Sequence, residues 1–154
     1  MALRGWARFA WQADYGQFYL IDAEDAGFEA PIEITAEMDR RSLFVPAAGI
    51  VIYTQDCLNQ HIRIAIHESE PDHPPVEEIS GKPWTRVETV EASFPSGRFT
   101  MSSPSMPFPL PGGPLFFLNA TTVTARISWM EFEGTRDESV PFDPDVIQIA
   151  LWTR

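Results

Sequence analysis

The residues best suited to hold a metal stand together as His67-Glu-Ser-Glu-Pro-Asp-His73, with His61 six positions before His67. Imidazole and carboxylate together suit a divalent transition metal, and on a strand His61 and His67 project from the same face. At roughly 3.3 Å per residue those two imidazoles stand about 20 Å apart, too far for one ion unless the chain bends. A turn at Pro71 brings His67 and His73 closer, so a metal-dependent enzyme built on His61, His67 and His73 is one reading. The spacing lacks the i, i+4 pattern of a helical zinc site, and polar residues running from a strand end into a solvated loop explain it more simply. No metal site and no cofactor are expected.

Nucleophiles are no better placed. Ser96 lies in Pro-Ser-Gly and not in Gly-x-Ser-x-Gly, and Cys57 in Gln-Asp-Cys-Leu has no activating motif. Gly112-Gly113 lacks the Lys-Ser/Thr of a phosphate-binding loop. No catalytic residue is assigned, and the chain reads as a non-enzyme. Besides Glu68, Glu70 and Asp72 of the histidine segment, the acids fall into groups: Asp22, Glu24 and Asp25 with Glu29 and Glu33; Glu77-Glu78; and Glu131, Glu133, Asp137, Glu138, Asp143 and Asp145. Carboxylates do acid/base work only where burial separates their pKa values, and no group follows a calcium-loop pattern. In solvated loops they either keep the protein soluble or meet a basic partner. The candidate contact surface is Asp22, Glu24, Asp25, Glu68, Glu70, Asp72, Glu131 and Glu133. Trp11, Tyr15, Phe18 and Tyr19 allow another alternative, a platform for a sugar or small molecule, although their spacing suits the core.

The elements that carry these residues are short. Ile62, Ile64 and Ile66 alternate with His61, Arg63, Ala65 and His67; Val123, Ala125, Ile127 and Trp129 alternate with Thr122, Thr124, Arg126 and Ser128. Period two makes each a half-buried strand. Segments 16–22, 49–54, 87–94, 98–102 and 146–152 are rich in β-branched and aromatic residues and bounded by Gly, Pro or Asp, which brings the count to seven. One helix is expected over 35–43, with Thr35 as N-cap, Glu37 and Asp39 at its positive start and Arg40-Arg41 at its end. Pro95-Ser-Gly97 marks a tight hairpin in which Gly97 takes positive φ. Residues 103–114, with five prolines and two glycines, form a loop. Strands without alternating helices predict an all-β fold, an antiparallel β-sandwich of 7 to 9 strands in a single domain, 1–154.

Twenty-two acids against eleven bases give 154 residues a net charge of -11. That balance opposes phosphate backbones and anionic membranes, so neither nucleic acid nor membrane is an expected partner. A single cysteine forms no internal disulfide, and no apolar run reaches the ~20 residues of a spanning helix; a cytoplasmic location is expected.

Three blocks occur in a recognisable order: Asp14-Tyr-Gly-Gln-Phe-Tyr-Leu20, then Trp84-x-x-Val87-x-x-Val90-Glu-Ala-Ser-Phe94-Pro-Ser-Gly-Arg98, then Val146-x-Gln148-x-x-Leu151-Trp152. The chain resembles the bacterial competence protein J (ComJ) family, whose founding member inhibits a DNA-entry nuclease. The resemblance implies a protein that binds a partner nuclease directly and catalyses nothing. It transfers no catalytic residue. An acidic β domain suits the positively charged cleft of such a partner.

Overall fold

The alternation over Ile62, Ile64 and Ile66 is realised as the strand Asn59–His67, in which all three isoleucines are buried. The computed structural model describes residues 2–12, 15–24, 27–54, 59–105, 114–131 and 145–154. In chain order the elements are β1 (Leu3–Gln12), β2 (Gln17–Asp22), α1 (Ala36–Arg41), β3 (Leu43–Phe44), β4 (Gly49–Tyr53), β5 (Asn59–His67), β6 (Arg86–Ser93), β7 (Arg98–Ser102), β8 (Leu115–Phe117), β9 (Thr122–Met130) and β10 (Asp145–Trp152). All seven expected strands are present. β1, β3 and β8 are additional.

The strands form two five-stranded sheets, ordered β1-β5-β10-β9-β6 and β3-β4-β2-β7-β8. The fold is an all-β sandwich with one short helix. One pairing departs from the antiparallel expectation, since β5 and β10 run parallel from Asp145↔Gln60 to Trp152↔His67. Both are buried on their inner face by isoleucine: Ile62, Ile64 and Ile66 face the same core as Ile147, Ile149 and Leu151. That core also takes Phe18, Leu20, Ile50 and Ile52 from the second sheet, and each such side chain contributes roughly 1.5–3 kcal/mol on burial. Phe99 stacks on Phe116 with centroids 4.8 Å apart and meets Phe94 at 5.0 Å. Trp129 Nε1 donates to the Tyr53 carbonyl at 3.0 Å, a buried polar tie from one sheet to the other.

Local chemistry accounts for the connections. Thr35 caps α1 by accepting from Met38 N at 3.2 Å, and Ser42 ends the helix in a left-handed conformation at φ 56°. The helix closes one side of the sandwich: Arg41 meets Glu88 of β6 at 3.4 Å, and Arg86 donates to the Arg40 carbonyl at 2.7 Å. The β6–β7 turn has the expected glycine, with Gly97 at φ 70° and its N–H donating to Phe94 O at 2.8 Å.

Pair registers set the two ends of the sandwich. His67, Trp152, Thr124 and Glu91 lie in one row across the first sheet, and the β6–β7 hairpin and the end of β2 share that end. It is called here the hairpin end. After β5 the segment 68–84 straps the outer face of the first sheet. Arg126 donates to Pro71 O at 2.6 Å, His73 Nε2 bonds Ser128 Oγ at 2.8 Å, and Trp84 Nε1 donates to Pro74 O at 2.9 Å.

Candidate protein-binding surface

Asp22 ends β2 and is entirely inaccessible. One carboxylate oxygen accepts the Glu24 N–H at 2.9 Å and the other accepts the Ser96 N–H at 2.7 Å. It ties β2 to the β6–β7 turn, and its assignment as a contact residue is corrected: both oxygens are spent on backbone, and no partner reaches them. Glu24, two residues on, is exposed and forms an ion pair with Arg98.

Glu68, Glu70 and Asp72 follow β5 and are exposed at the same end of the sandwich. Glu70 lies 3.6 Å from Arg126, whereas Glu68 and Asp72 have no cation within ion-pair distance among the described residues. Glu91 joins them at the end of β6, 3.3 Å from Arg154. Sequence reasoning passed over Glu91 because it sits inside a strand, yet it is an outward position there. The hairpin end therefore gathers Glu24, Glu68, Glu70, Asp72 and Glu91. Glu131 is separate: it follows β9 at the opposite end, half-buried, with its N–H donating to Thr85 Oγ1 at 3.0 Å. Asp25 and Glu133 lie outside the described residues, as does Cys57.

The histidines do not converge. His61 is exposed near the start of β5, His67 closes that strand, and His73 is turned onto Ser128 and stacked 5.8 Å from Trp84. Burial lowers the His67 pKa, and Arg63 and Arg126 lower it further; burial and then Arg126 do the same to His73. Guanidinium groups beside an imidazole oppose a metal cation as they oppose a proton. No group of three His, Cys, Asp or Glu among the described residues is arranged to hold a metal ion.

A cleft of about 350 Å³ under the strap is lined by Arg8, His61, Glu77, Ile79, Ser80, Lys82, Met130 and Val146. Its carboxylate is already occupied. Glu77 Oε2 accepts Ser80 N at 2.7 Å and Ile79 N at 3.1 Å, and Arg8 stands 3.9 Å from the other oxygen. Burial pushes its pKa up, but those hydrogen bonds and the Arg8 charge outweigh it and hold the carboxyl below its ordinary value. Ser96 Oγ donates to the Arg98 carbonyl at 3.1 Å, a turn-stabilising role.

The expected aromatic platform is dispersed. Phe18 and Tyr19 are buried, Trp11 is half-buried against the core, and Tyr15 is exposed. Trp6 of β1 and Phe117 of β8 are 59% and 60% exposed but lie on opposite outer faces: Trp6 is paired with Ala65 and has the Arg63 guanidinium 5.8 Å from its ring centroid, and Phe117 is paired with Arg98. A cleft of about 420 Å³ lies between the edge strands of the two sheets. The alternation of Trp6 and Arg8 against Ala7, Phe9 and Trp11 was the sequence signal for β1, masked by the apolar Trp6 at an outward position and by the irregularity between Leu3 and Gly5.

No protein family and no curated protein matches the chain by sequence. Its fold is that of ComJ. The crystal structure of ComJ from Bacillus subtilis, inhibitor of the DNA-degrading activity of NucA, superposes with a TM-score of 0.69 at 12% identity, covering 100% of both chains. A second solved structure, the product of crocagin biosynthetic gene J, gives 0.60 at 16% identity over 99% of both chains.

Proposed function

We propose that this ComJ-fold chain acts as one domain, residues 1–154, and is a non-catalytic inhibitor or immunity-type protein that binds a basic partner, foremost a nuclease. The observation that carries the reading is the end-to-end likeness to ComJ, a nuclease inhibitor. The net charge of -11 and the gathering of Glu24, Glu68, Glu70, Asp72 and Glu91 at the hairpin end support it. Carboxylates on a loop and strand-end surface present negative charge at intervals as a nucleic-acid backbone does, and a cationic nuclease cleft is attracted to both. Inhibition then consists of occupying the cleft, which requires no reacting group on this chain.

The test is affinity capture from the native host at low salt, followed by titration of the captured nuclease with the purified protein. The expected result is a basic nuclease whose DNA cleavage is lost stoichiometrically. Capture of a nuclease that remains fully active when saturated with this protein refutes the inhibitor role.

A further inference from the structure

A sandwich sheet commonly leaves its outer face to water, but part of the first sheet's outer face is covered. Ala150 and Trp152 alternate along β10 with the core residues Ile149 and Leu151 and so face outward, yet they are only 3% and 5% exposed. The strap 68–84 crosses them. Its Pro71 is buried and sets its carbonyl on the Arg126 guanidinium at 2.6 Å, and that guanidinium lies 5.3 Å from the Trp152 ring centroid. Arg126 is paired with Ala150, so the contact sits over this part of β10. The cover is thin. Of the seventeen residues 68–84 only Pro71 and Glu77 are buried, so discrete polar ties and not apolar area hold it down, which is the character of a segment that opens separately from the core.

Imidazoles stand at the root and in the middle of this cover. His67 is the last residue of β5, where the strap begins; His73 Nε2 bonds Ser128 Oγ at 2.8 Å while its ring stacks on Trp84. The charged groups around them are few. From β9 comes Arg126, whose charge reaches both rings; from β5 comes Arg63, which reaches His67 and is itself 3.8 Å from Glu78; from β1 comes Arg4, next to Leu3, the residue paired with His67. Ser128 is flanked by Gln148 of β10 and Val87 of β6, neither of them charged. The strap adds Glu68, Glu70 and Asp72, all exposed and screened by solvent, with Glu70 taken up by Arg126 at 3.6 Å. Burial first, and arginine charge second, hold both imidazoles below the ordinary 6.5 while the strap is closed. A lifted strap returns them to water and toward that ordinary value.

We propose that the strap is a proton-operated lid, closed over Ala150 and Trp152 while His67 and His73 are neutral and lifted from that face when they take up protons beside Arg126. The closed form is fully favoured above about pH 6.5 and loses its advantage as pH falls toward the depressed closed-state values. Between pH 7.5 and 5.5 each histidine raises the opening constant by at most about tenfold, the limit for a group whose open-state value is ordinary. Opening uncovers apolar surface continuous with the exposed Trp6, since Ala65 pairs with Trp6 on one side and with Ala150 on the other. It also carries Glu68, Glu70 and Asp72 out of their fixed places. The lid belongs to the chain alone and does not rest on the inhibitor reading.

The test reads lid opening by thiol labelling of the full chain. Ala150→Cys, in a Cys57→Ser background, puts a thiol beneath the strap, and Ala125→Cys, on the core side of β9, reports global unfolding. Each rate is divided by that of free cysteine at the same pH. Ala150→Cys is expected to label slowly at pH 7.5 and roughly threefold or more faster at pH 5.5, with Ala125→Cys far slower at both. Adding His67→Gln/His73→Gln should abolish the rise. Circular dichroism checks the fold, and if Ala150→Cys disturbs it, Thr124→Cys, 3% exposed on the same outer face, takes its place. Four results overturn the proposal: labelling at the free-cysteine rate at pH 7.5, equal rates at the two pH values, a rise that survives loss of both histidines, or outer and core thiols labelled at the same rate.

Discussion

Replacing Asp22 with alanine strands two backbone donors at once. In the native fold its carboxylate takes the Ser96 N–H at 2.7 Å and the Glu24 N–H at 2.9 Å from a fully buried position. A donor left without a partner costs about 1–3 kcal/mol according to how far water can replace the lost acceptor. Taking about 1 for Glu24, at an exposed residue, and about 2 for Ser96, inside the turn, gives a loss of about 3 kcal/mol. At roughly 2–4 °C per kcal/mol for a chain of this size, Asp22→Ala should lower Tm by about 6–12 °C. Asp22→Asn keeps one acceptor but turns an NH2 group toward the other donor, so it should fall between the parent and alanine. Urea unfolding followed by tryptophan fluorescence measures both, with an unchanged m-value as the sign that the unfolded state is not the cause. A loss under about 0.5 kcal/mol for alanine, the range of an ordinary surface substitution, would refute the argument that this residue is structural.

Other positions carry separable expectations. Trp129→Phe removes the buried hydrogen bond to the Tyr53 carbonyl and should cost about 1–3 kcal/mol in the same assay, because the carbonyl is left between the sheets unpaired. Arg126→Met keeps an apolar stem over Trp152, where the guanidinium now sits 5.3 Å from the ring centroid, but loses the bond to Pro71 O; hydrogen exchange should quicken in residues 70–76 and not in β9. The pH dependence follows from His67 and His73, whose folded pKa values lie below the ordinary 6.5. The unfolded chain binds protons there first, so stability is full above about pH 6.5 and declines as pH falls toward the depressed folded values. A His67→Gln/His73→Gln variant should flatten the slope between pH 7 and 5.5 in thermal melts; an unaltered slope contradicts the assignment.

The strands visible in the sequence were those whose inward positions are uniformly apolar. Ile62, Ile64 and Ile66 or Val123, Ala125, Ile127 and Trp129 announce a buried face without help from context. β1 escaped notice because the outward Trp6 is as apolar as its inward neighbours and a bulge shifts the register between Leu3 and Gly5, which breaks the period at its start. β3 and β8, of two and three residues, are defined by partners distant in sequence and have no local pattern to read. The parallel β5–β10 pair likewise follows from the global strand order. The helix was legible except at its end: Thr35, the acidic first turn and the basic last turn are local signals that the structure uses as written, but the helix stops at Arg41, Ser42 becomes its left-handed C-cap, and Leu43, expected inside it, opens β3 because it pairs with Ile52.

The acidic surface was legible only by composition. Asp22, Glu24, Glu68 and Glu131 look alike in a sequence, but the fold buries the first, pairs the second with Arg98, leaves the third open and sends the fourth to the far end. Burial and pairing depend on which turn meets which strand end, and that is fixed by sheet order. The cleft between β1 and β8 was invisible for the same reason: its two walls lie more than a hundred residues apart.

The most direct test of the account is the association rate of the captured nuclease with the parent protein and with Glu68→Lys/Glu70→Lys/Asp72→Lys, measured by stopped flow from low to high salt. The account predicts a parent rate that falls steeply with ionic strength and a variant slowed roughly tenfold or more at low salt, the two converging once the Debye length shrinks to about 3 Å near 1 M. Equal rates for parent and variant at low salt, with both bound at the same affinity, would contradict it.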